Sequence, residues 1–273
     1  MTFIQALILG IVQGLTEFLP ISSSAHLVLV PYVFGWELPP EQVFSFDVLV
    51  QLGTLVAVIG YFWKDLWQIF KAFIEGIRNR EPFAEFESRM AYLLILATIP
   101  AGVLGLFLED IVENAFQNPR ITAFFLLGTA LLLWIAEVVG KRQRSIEKLT
   151  WKDALWVGFA QVLAMFPGVS RSGATIAAGM TRDLKRPAAG RFSFLMSVPV
   201  MLAAGGFSLM KLLGTPGMGE FLVMILVGFI AAAIVGYLSI HWMLSFLVRN
   251  SLKGFSIYCT AVALIILVFT YVR

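Results

Sequence analysis

The sequence predicts an all-α integral membrane protein with an inverted-topology repeat, each half one re-entrant helical hairpin plus three transmembrane helices. Composition, two broken apolar stretches and an internal repeat lead to this prediction. Of the 273 residues, 59% are hydrophobic and 14% are charged, with a mean hydropathy of +0.86, whereas soluble domains are roughly a quarter charged. The composition excludes a disordered chain and an ordinary soluble enzyme, and the net charge of +3 gives no reason to expect a nucleic-acid partner.

Six stretches are long and apolar enough to cross a hydrocarbon core, which takes about 20 helical residues. They are 43–63, 90–109, 121–140, 191–210, 220–240 and 254–272. The single cysteine, Cys259, lies in the last of them, so neither a disulfide framework nor a cysteine-based metal site is expected. Glu137 lies at the end of a span and is expected to face water or headgroups.

Two further apolar stretches, 2–34 and 150–181, are interrupted near their middle. The first contains Pro-Ile-Ser-Ser-Ser-Ala-His at 20–26, and the second contains Pro-Gly-Val-Ser-Arg-Ser-Gly at 167–173. Proline and serine end one helix and cap the next, and irregular backbone at membrane depth survives only where protein or a watery cavity receives its polar groups. Both stretches are therefore predicted to be re-entrant hairpins. The first 63 residues contain no Lys or Arg, so residues 1–19 do not read as a signal peptide.

The chain also repeats itself at an offset of 148 residues. The offset gives nine identities in the 25 positions from 2 to 26, where chance would give about two or three. The identities include Gly10 with Gly158, Gln13 with Gln161, Ser22 with Ser170 and Ser24 with Ser172. The two repeats are predicted to be 1–148 and 149–273. Because each contains three spans, an odd number, the second enters the membrane from the opposite side, as in many transporters.

The cations provide a test of this topology. Of the 20 Lys and Arg residues, 16 lie in segments 64–89, 141–152, 182–191 and 241–253, which we call the cation-rich segments. The opposite face has Arg120, Lys211 and Arg273, while Arg171 lies inside the second hairpin. By the positive-inside rule the cation-rich face is cytoplasmic and both termini lie outside. Full spans in place of hairpins would put segment 182–191 on the wrong face.

In this topology the two hairpin tips meet near the middle of the membrane, where ionisable groups indicate function. Arg171 would lie in the first turn of a helix, whose free N–H groups and dipole, together with the guanidinium, suit a phosphate. On the other tip, Ser23 and His26 are three positions apart, the spacing that a nucleophile and its base can share on one helix face. Glu17 could orient His26 or hold a divalent cation. Candidates for contact with substrate are Gln13, Ser22, Ser24, Ser170, Ser172, Gly173 and Thr175.

Structural alternatives stay open for several of these residues. Ser22 and Ser24 could be helix caps and interhelical contacts, Glu17 and Arg171 could be only a structural ion pair, and His26 could be a core histidine. Asp47 and Gln51, inside the first span, could support the site, although anchoring the hairpin is the simpler role.

The stretches 13–26 and 167–176 resemble the two signature motifs of the bacitracin-resistance type undecaprenyl-diphosphate phosphatases, and the length and the eight apolar segments are similar too. The resemblance implies hydrolysis of a C55 polyprenyl diphosphate to the monophosphate and inorganic phosphate, which recycles the lipid carrier of cell-wall synthesis and confers bacitracin resistance. It also implies a multi-pass protein of the bacterial plasma (inner) membrane, in contact with the lipid bilayer.

Carried over residue by residue, the resemblance implies an essential carboxylate at Glu17, a nucleophile at Ser23, a histidine at His26 and an arginine at Arg171. It further implies a divalent cation, Mg²⁺ or Ca²⁺, for which Glu17 is the candidate ligand. Many members have a second Glu where this chain has Gln13, which brings no charge, so Glu17 would act alone or with Asp47.

A transporter or flippase for a lipid-linked or small anionic solute is the alternative function, since inverted repeats with broken helices are common in transporters. The Ser23 and His26 pair favours the phosphatase, because a carrier needs no activated nucleophile. A homodimer is left open.

Overall fold

The computed structural model describes residues 1–38, 40–116, 118–212 and 218–272, and within these ranges the protein is helical, without β-strands. Between α6 and α7 lies a short 3₁₀ turn, Ile146–Lys148. The helices are α1 Phe3–Phe18, α2 Ser23–Phe34, α3 Pro40–Tyr61, α4 Trp63–Arg78, α5 Phe86–Phe116, α6 Pro119–Val139, α7 Trp151–Leu163, α8 Arg171–Thr181, α9 Arg186–Leu212, α10 Met218–Arg249 and α11 Lys253–Val272.

Five of these helices are long and apolar enough to cross a membrane: α5, α6, α9, α10 and α11. Helix α3 supplies a sixth candidate when it is taken together with α4, from which it is bent by 75°. The six predicted spans all fall on these helices, so the prediction of a multi-pass helical protein is confirmed. Arg273 and the side chain of Lys211 lie outside the described residues.

The two broken stretches each form a pair of short helices joined by a turn. The first hairpin consists of α1 and α2, with 16 and 12 residues, and the second of α7 and α8, with 13 and 11. Each is shorter than the roughly 20 residues of a full span. Both hairpins begin with a threonine capping box, Thr2 with Gln5 and Thr150 with Asp153, so their first helices start in the same way.

Hydrogen bonds join three of the four cation-rich segments directly at one end of the molecule, and Glu137 of α6 connects the fourth, 241–253, to them. Arg191 bonds to Asp65 at 2.7 Å, and Arg89 bonds to the carbonyl of Glu147 at 2.8 Å. Arg144 donates to the carbonyl of Arg182 at 2.9 Å, which brings the two ends of the second hairpin together. Since its start and end lie at the same end of the bundle, the second hairpin reverses its direction within the bundle.

Two buried carboxylates hold this end together. Asp153, with no exposed surface, accepts hydrogen bonds from Arg144 and Arg182, and its hydrogen bond raises the pKa of the Arg144 guanidinium. Glu137 pairs with Arg142 and Arg186 and also accepts from the backbone N–H of residue 252. The expectation that Glu137 faces water is therefore wrong: it is 5% exposed. The chain turns back toward the carboxylate after α6, which no span pattern reveals.

Segment 64–89 also differs from the prediction of a loop, because its first half is helix α4. This helix is amphipathic, and its apolar residues recur at helical spacing, but charged residues interrupt them too often for a span pattern. The bend that separates it from α3 occurs at Phe62, which is 3% exposed.

The long helices and the hairpins pack at very close distances. Helix α1 lies along α10, and α7 lies along α5. A Cβ atom added at Gly10 would collide with the carbonyl oxygen of Gly228, and one added at Gly158 would come within 2.5 Å of the carbonyl oxygen of Ala97. The first helix of each hairpin thus presents a glycine, at repeat-related positions, to the backbone of a long helix.

Candidate active site

The two hairpin tips contact each other through backbone and side-chain hydrogen bonds. Each tip is a turn, residues 19–22 between α1 and α2 or residues 164–170 between α7 and α8, together with the adjoining ends of its two helices. Ser172 Oγ donates to the carbonyl of Leu19 at 3.0 Å, and the backbone N–H of Gly168 donates to Ser24 Oγ at 3.4 Å. The predicted meeting of the tips is confirmed, and polar backbone that would be costly in lipid is paired within the protein.

Helix α6 supports the second tip through Thr129, whose side chain is buried. Its hydroxyl donates to the carbonyl of Gly168 and accepts from the backbone N–H of Ser170, both at 2.9 Å. Gly168 has a φ of +99°, and a Cβ atom there would collide with the carbonyl oxygen of Thr122. Glycine is therefore required at this position, both for its backbone angle and for the close approach to α6.

Glu17 is the centre of the polar cluster. Its Oε2 accepts hydrogen bonds from Ser23 Oγ at 2.6 Å and from Gln13 Nε2 at 2.9 Å, and its Oε1 accepts from Arg171 Nη2 at 2.9 Å. The carboxylate side chain is 4% exposed. An ionised carboxylate at this burial needs such donors, and the guanidinium supplies the compensating charge from the other hairpin.

Arg171 uses only part of its hydrogen-bonding capacity in this contact. Its side chain is 13% exposed, and Nη2 is bound to Glu17. The Nε and Nη1 atoms are buried and have no partner within the described part of the chain. Each unpaired group can donate to a phosphate oxygen, and each can form a parallel pair with the second N–H of Nη2.

His26 lies beside this cluster but forms its hydrogen bonds elsewhere. Its Nδ1 lies 2.7 Å from the carbonyl oxygen of Ser22, and its Nε2 lies 2.8 Å from the hydroxyl of Tyr258 on α11. Because a carbonyl only accepts, Nδ1 donates in this contact, and in the neutral ring Nε2 then accepts from Tyr258. Ser22 adopts a φ of +69°, a strained angle for serine.

The structure thus pairs Ser23 with Glu17, and the expected hydrogen bond between Ser23 and His26 is not formed. The geometry explains the difference: Ser23 is the first residue of α2, and its side chain points back across the turn toward the end of α1.

The remaining predicted residues are engaged in hydrogen bonds within the protein. Ser22 and Ser170 cap α2 and α8, and each lies 3.1 Å from the second serine of its own tip, Ser24 or Ser172. Gly173 donates its N–H to Ser170, while the Thr175 hydroxyl donates to the carbonyl of Arg171 at 2.7 Å and lies 2.6 Å from Ser193 Oγ of α9. Contact of these residues with a substrate stays a prediction.

Sequence reasoning missed Thr129 and Tyr258, which lie in ordinary apolar spans more than 30 residues from their partners and carry no local signal. Asp47 and Gln51 form no side-chain hydrogen bond with the tip residues. Their proposed support of the site therefore stays a prediction.

The donor set does not fit a metal cage built by the protein alone. Glu17 is the one carboxylate at the tips, and both of its oxygens already accept hydrogen bonds, one from a guanidinium. Among the described residues no cluster of three or more metal-binding side chains occurs. Gln13, where a second carboxylate would add a ligand, instead donates to Glu17.

A multi-pass helical bundle with a serine, a carboxylate and a partly unpaired arginine at the contact of two broken helices defines a membrane protein that acts on an anionic group. The chain belongs to the family described as bacitracin resistance protein BacA, whose pattern it matches over residues 6–265.

Relatives of similar length carry one common name. The chain is 43% identical over 270 residues to the undecaprenyl-diphosphatase of Thermomicrobium roseum and 44% identical over 264 residues to that of Rubrobacter xylanophilus, in both cases over 96% of each chain. It is 42% identical to undecaprenyl-diphosphatase 2 of Stutzerimonas stutzeri, over 98% of each chain.

Proposed function

We propose that this protein is an undecaprenyl-diphosphate phosphatase. It hydrolyses undecaprenyl diphosphate to undecaprenyl phosphate and inorganic phosphate, which recycles the lipid carrier for cell-wall synthesis and confers bacitracin resistance. The names of its relatives support this activity. The observation that carries it is the contact of Ser23, Glu17 and Arg171, a hydroxyl held by a carboxylate beside a guanidinium with two unpaired N–H groups.

Arg171 binds the diphosphate through its free Nε and Nη1 groups. The start of α8 adds the positive end of a helix dipole at the same place. Neutralising the phosphate charges supplies most of the catalysis, because phosphoryl transfer depends chiefly on positioning and charge stabilisation. The buried Glu17 orients the guanidinium from the opposite side.

Ser23 is the nucleophile, and Glu17 accepts its proton. The Ser23 Oγ forms a bond to the terminal phosphorus, the bond from that phosphorus to the bridging oxygen breaks, and undecaprenyl phosphate leaves with the electron pair. The 2.6 Å hydrogen bond from Ser23 to Glu17 Oε2 favours this proton transfer over transfer to His26.

His26 acts in the second step, in which water releases the phosphate from Ser23. Water gives a proton to the Tyr258 hydroxyl while that hydroxyl gives its own proton to His26 Nε2. The new bond from water to phosphorus replaces the bond to Ser23, whose oxygen takes back the proton held by Glu17. Direct attack by water with His26 as base is the main alternative.

The decisive experiment is phosphate release from a polyprenyl diphosphate by the purified protein. Ser23→Ala should abolish release, whereas Ser24→Ala, in the same tip, should retain most of it. A phosphoserine that accumulates in His26→Ala supports the covalent route. A Ser23→Ala enzyme that turns over at the wild-type rate would exclude it.

A divalent cation, Mg²⁺ or Ca²⁺, is part of the proposal only as a companion of the substrate. Mg²⁺ is commonly bound through substrate phosphates and one or two carboxylates, and Glu17 is the single candidate ligand at the tips. No step above depends on it. The dependence of phosphate release on the cation is measured by removing it with EDTA and then adding Mg²⁺ or Ca²⁺ separately.

The transporter alternative is less favoured, because the hydrogen bond that holds Ser23 against a buried carboxylate has no use in a carrier. Transport of a labelled lipid by Ser23→Ala vesicles at the wild-type rate, without hydrolysis in either protein, would reverse this preference.

We infer that the fold is an inverted repeat of residues 1–148 and 149–273. Several repeat-related features support it: the threonine capping boxes, the paired serines of the tips at equal 3.1 Å distances, and the glycines at positions 10 and 158 against long helices. Helix α1 of the first half packs on α10 of the second, and α7 of the second half packs on α5 of the first, as expected if the two halves are related by a twofold axis.

We also infer that the protein lies in the bacterial plasma (inner) membrane with its cation-rich end in the cytoplasm and both termini outside. The clustering of the cation-rich segments, three of them joined directly and 241–253 through Glu137, supports this orientation. Lys or Arg residues added within the first 40 positions should disturb it, as terminal accessibility to a protease would reveal. A homodimer remains a prediction that light scattering would test.

A further inference from the structure

Helix α4 presents three distinct faces, and none of them takes part in the reaction proposed above. The face toward the protein consists of Asp65, Leu66, Ile69, Ala72, Phe73 and Gly76, all buried or half-buried. An exposed apolar stripe consists of Trp63, Trp67, Phe70, Ile74 and Ile77, with 48–61% exposure. An exposed polar stripe consists of Lys64, Gln68, Lys71, Glu75 and Arg78.

The direction of α4 suits the surface of a membrane. The helix leaves α3 at an angle of 75°, so if α3 crosses the bilayer, α4 runs nearly along its plane. Helices with one apolar and one cationic face lie at the boundary between headgroups and acyl chains, and tryptophan is enriched at this depth. The ion pair between Asp65 and Arg191 fixes α4 to the start of α9 at the cation-rich end.

The polar stripe carries a net positive charge, and its cations are exposed to an anionic partner. Lys64, Lys71 and Arg78 recur every seven residues, so they lie along one line of the helix. Only Glu75 opposes them, through an exposed contact of 3.8 Å with Lys71, and such exposed pairs contribute little. Asp65, the other acid of the helix, faces the protein and is bound to Arg191.

A groove of about 250 Å³ lies beneath the apolar stripe. It is lined by Ile59 of α3, Val198 of α9 and four residues of α4: Trp63, Leu66, Trp67 and Phe70. Its lining is apolar, and the cation stripe lies on the neighbouring face of the same helix. An apolar groove next to a line of cations matches a molecule with an acyl chain and an anionic headgroup.

We propose that α4 is a binding site for an anionic phospholipid of the leaflet at the cation-rich end. One acyl chain lies in the groove, and the headgroup phosphate contacts the lysines and the arginine of the stripe. The proposal does not depend on the phosphatase activity.

Tryptophan quenching in vesicles provides the test. The fluorescence of Trp67 is obtained as the difference between the wild-type protein and Trp67→Phe, in vesicles that contain brominated phosphatidylglycerol or brominated phosphatidylcholine. Stronger quenching by the anionic lipid is expected. The triple variant Lys64→Gln, Lys71→Gln, Arg78→Gln should lose this preference, by about fivefold for each cation.

A matched variant, Lys141→Gln, Lys152→Gln, Lys185→Gln, removes the same charge from exposed positions of the cation-rich segments outside α4, and it should keep the preference. Equal quenching by the two lipids would overturn the proposal, as would an equal loss in both triple variants. Absence of any Trp67 quenching would also overturn the proposal, because it would show that the apolar stripe contacts protein and not lipid. Relief of quenching by undecaprenyl phosphate would assign the groove to the polyprenyl chain.

Discussion

The two hairpins share a backbone plan but differ in what their side chains do. Both start with a threonine capping box, place a glycine against a long helix and cap the second helix with a serine. At an offset of 148 residues, however, Glu17 corresponds to Met165, Ser23 to Arg171 and His26 to Ala174. In the proposed reaction the first hairpin provides the nucleophile and the acid–base groups, whereas the second provides the positive charge.

The two hairpins also differ in how deeply their second helices are buried. In the second hairpin, every residue of α8 from Ser172 to Met180 is buried, and Asp153 is bound by two arginines. In the first, α2 alternates between half-buried and buried residues from Ser24 to Tyr32 and ends with Val33 and Phe34 exposed, and the tip contains a serine at a strained positive φ. The comparison teaches that the two hairpins share hydrogen bonds and close packing, while the proposed chemistry uses different residues in the two tips.

The strongest test of this division is Arg171→Lys. A lysine keeps the positive charge but loses the fork of N–H groups, so turnover should fall by about a hundredfold or more. Phosphate release from the polyprenyl diphosphate measures the effect, with Met165→Leu as the control in the same hairpin. Wild-type turnover of the lysine variant would refute the role of Arg171 in phosphate binding.

The packing shared by the hairpins predicts similar losses of stability from Gly10→Ala and Gly158→Ala. In each variant the new methyl group meets the backbone of a long helix, and overpacking of this kind costs about 1–3 kcal/mol. Thermal unfolding in detergent measures the loss, with Gly102→Ala, where no atom lies within 4 Å of the added Cβ, as the control. A large loss of stability in only one of the two variants would show that the two hairpins do not pack in the same way.

Tyr258→Phe tests the relay to His26. The variant keeps the ring but removes the hydroxyl bonded to Nε2, so we expect kcat to fall about tenfold with an unchanged KM. Because the chain contains only two histidines, ¹⁵N spectra of His26 can be assigned with His241→Gln. An unchanged Nε2 resonance together with unchanged kcat would exclude the relay.

The smallest effect is expected from Gln13→Glu, which changes the group next to Glu17. Activity should be kept or raised, and Mg²⁺ affinity should increase, because a second carboxylate would then lie beside the first. Titration of activity with Mg²⁺ after EDTA treatment provides the measurement. Complete inactivation would show that the hydrogen bond from Gln13 to Glu17 is the essential feature at this position.

Much of the site follows from the two motifs. Periodicity and interruption predicted both hairpins, and the repeat predicted that their tips meet, which placed Glu17 and Arg171 together before any contact was known. The pairing inside the site was not predictable. Ser23 and His26 are close in sequence, yet their partners are Glu17 across the turn and Tyr258, which is 232 positions away from His26.

The sequence by itself determined the class of protein, the positions of its apolar helices and the candidate residues of the site, because hydropathy, charge and helix interruption are local properties of the chain. Only the tertiary structure decided which donor serves which acceptor, that Glu17 accepts from Ser23, Gln13 and Arg171, and that Glu137 is buried among arginines. It also decided that residues 63–78 form a helix bent away from α3. These outcomes depend on packing between segments distant in sequence, and no local pattern records them.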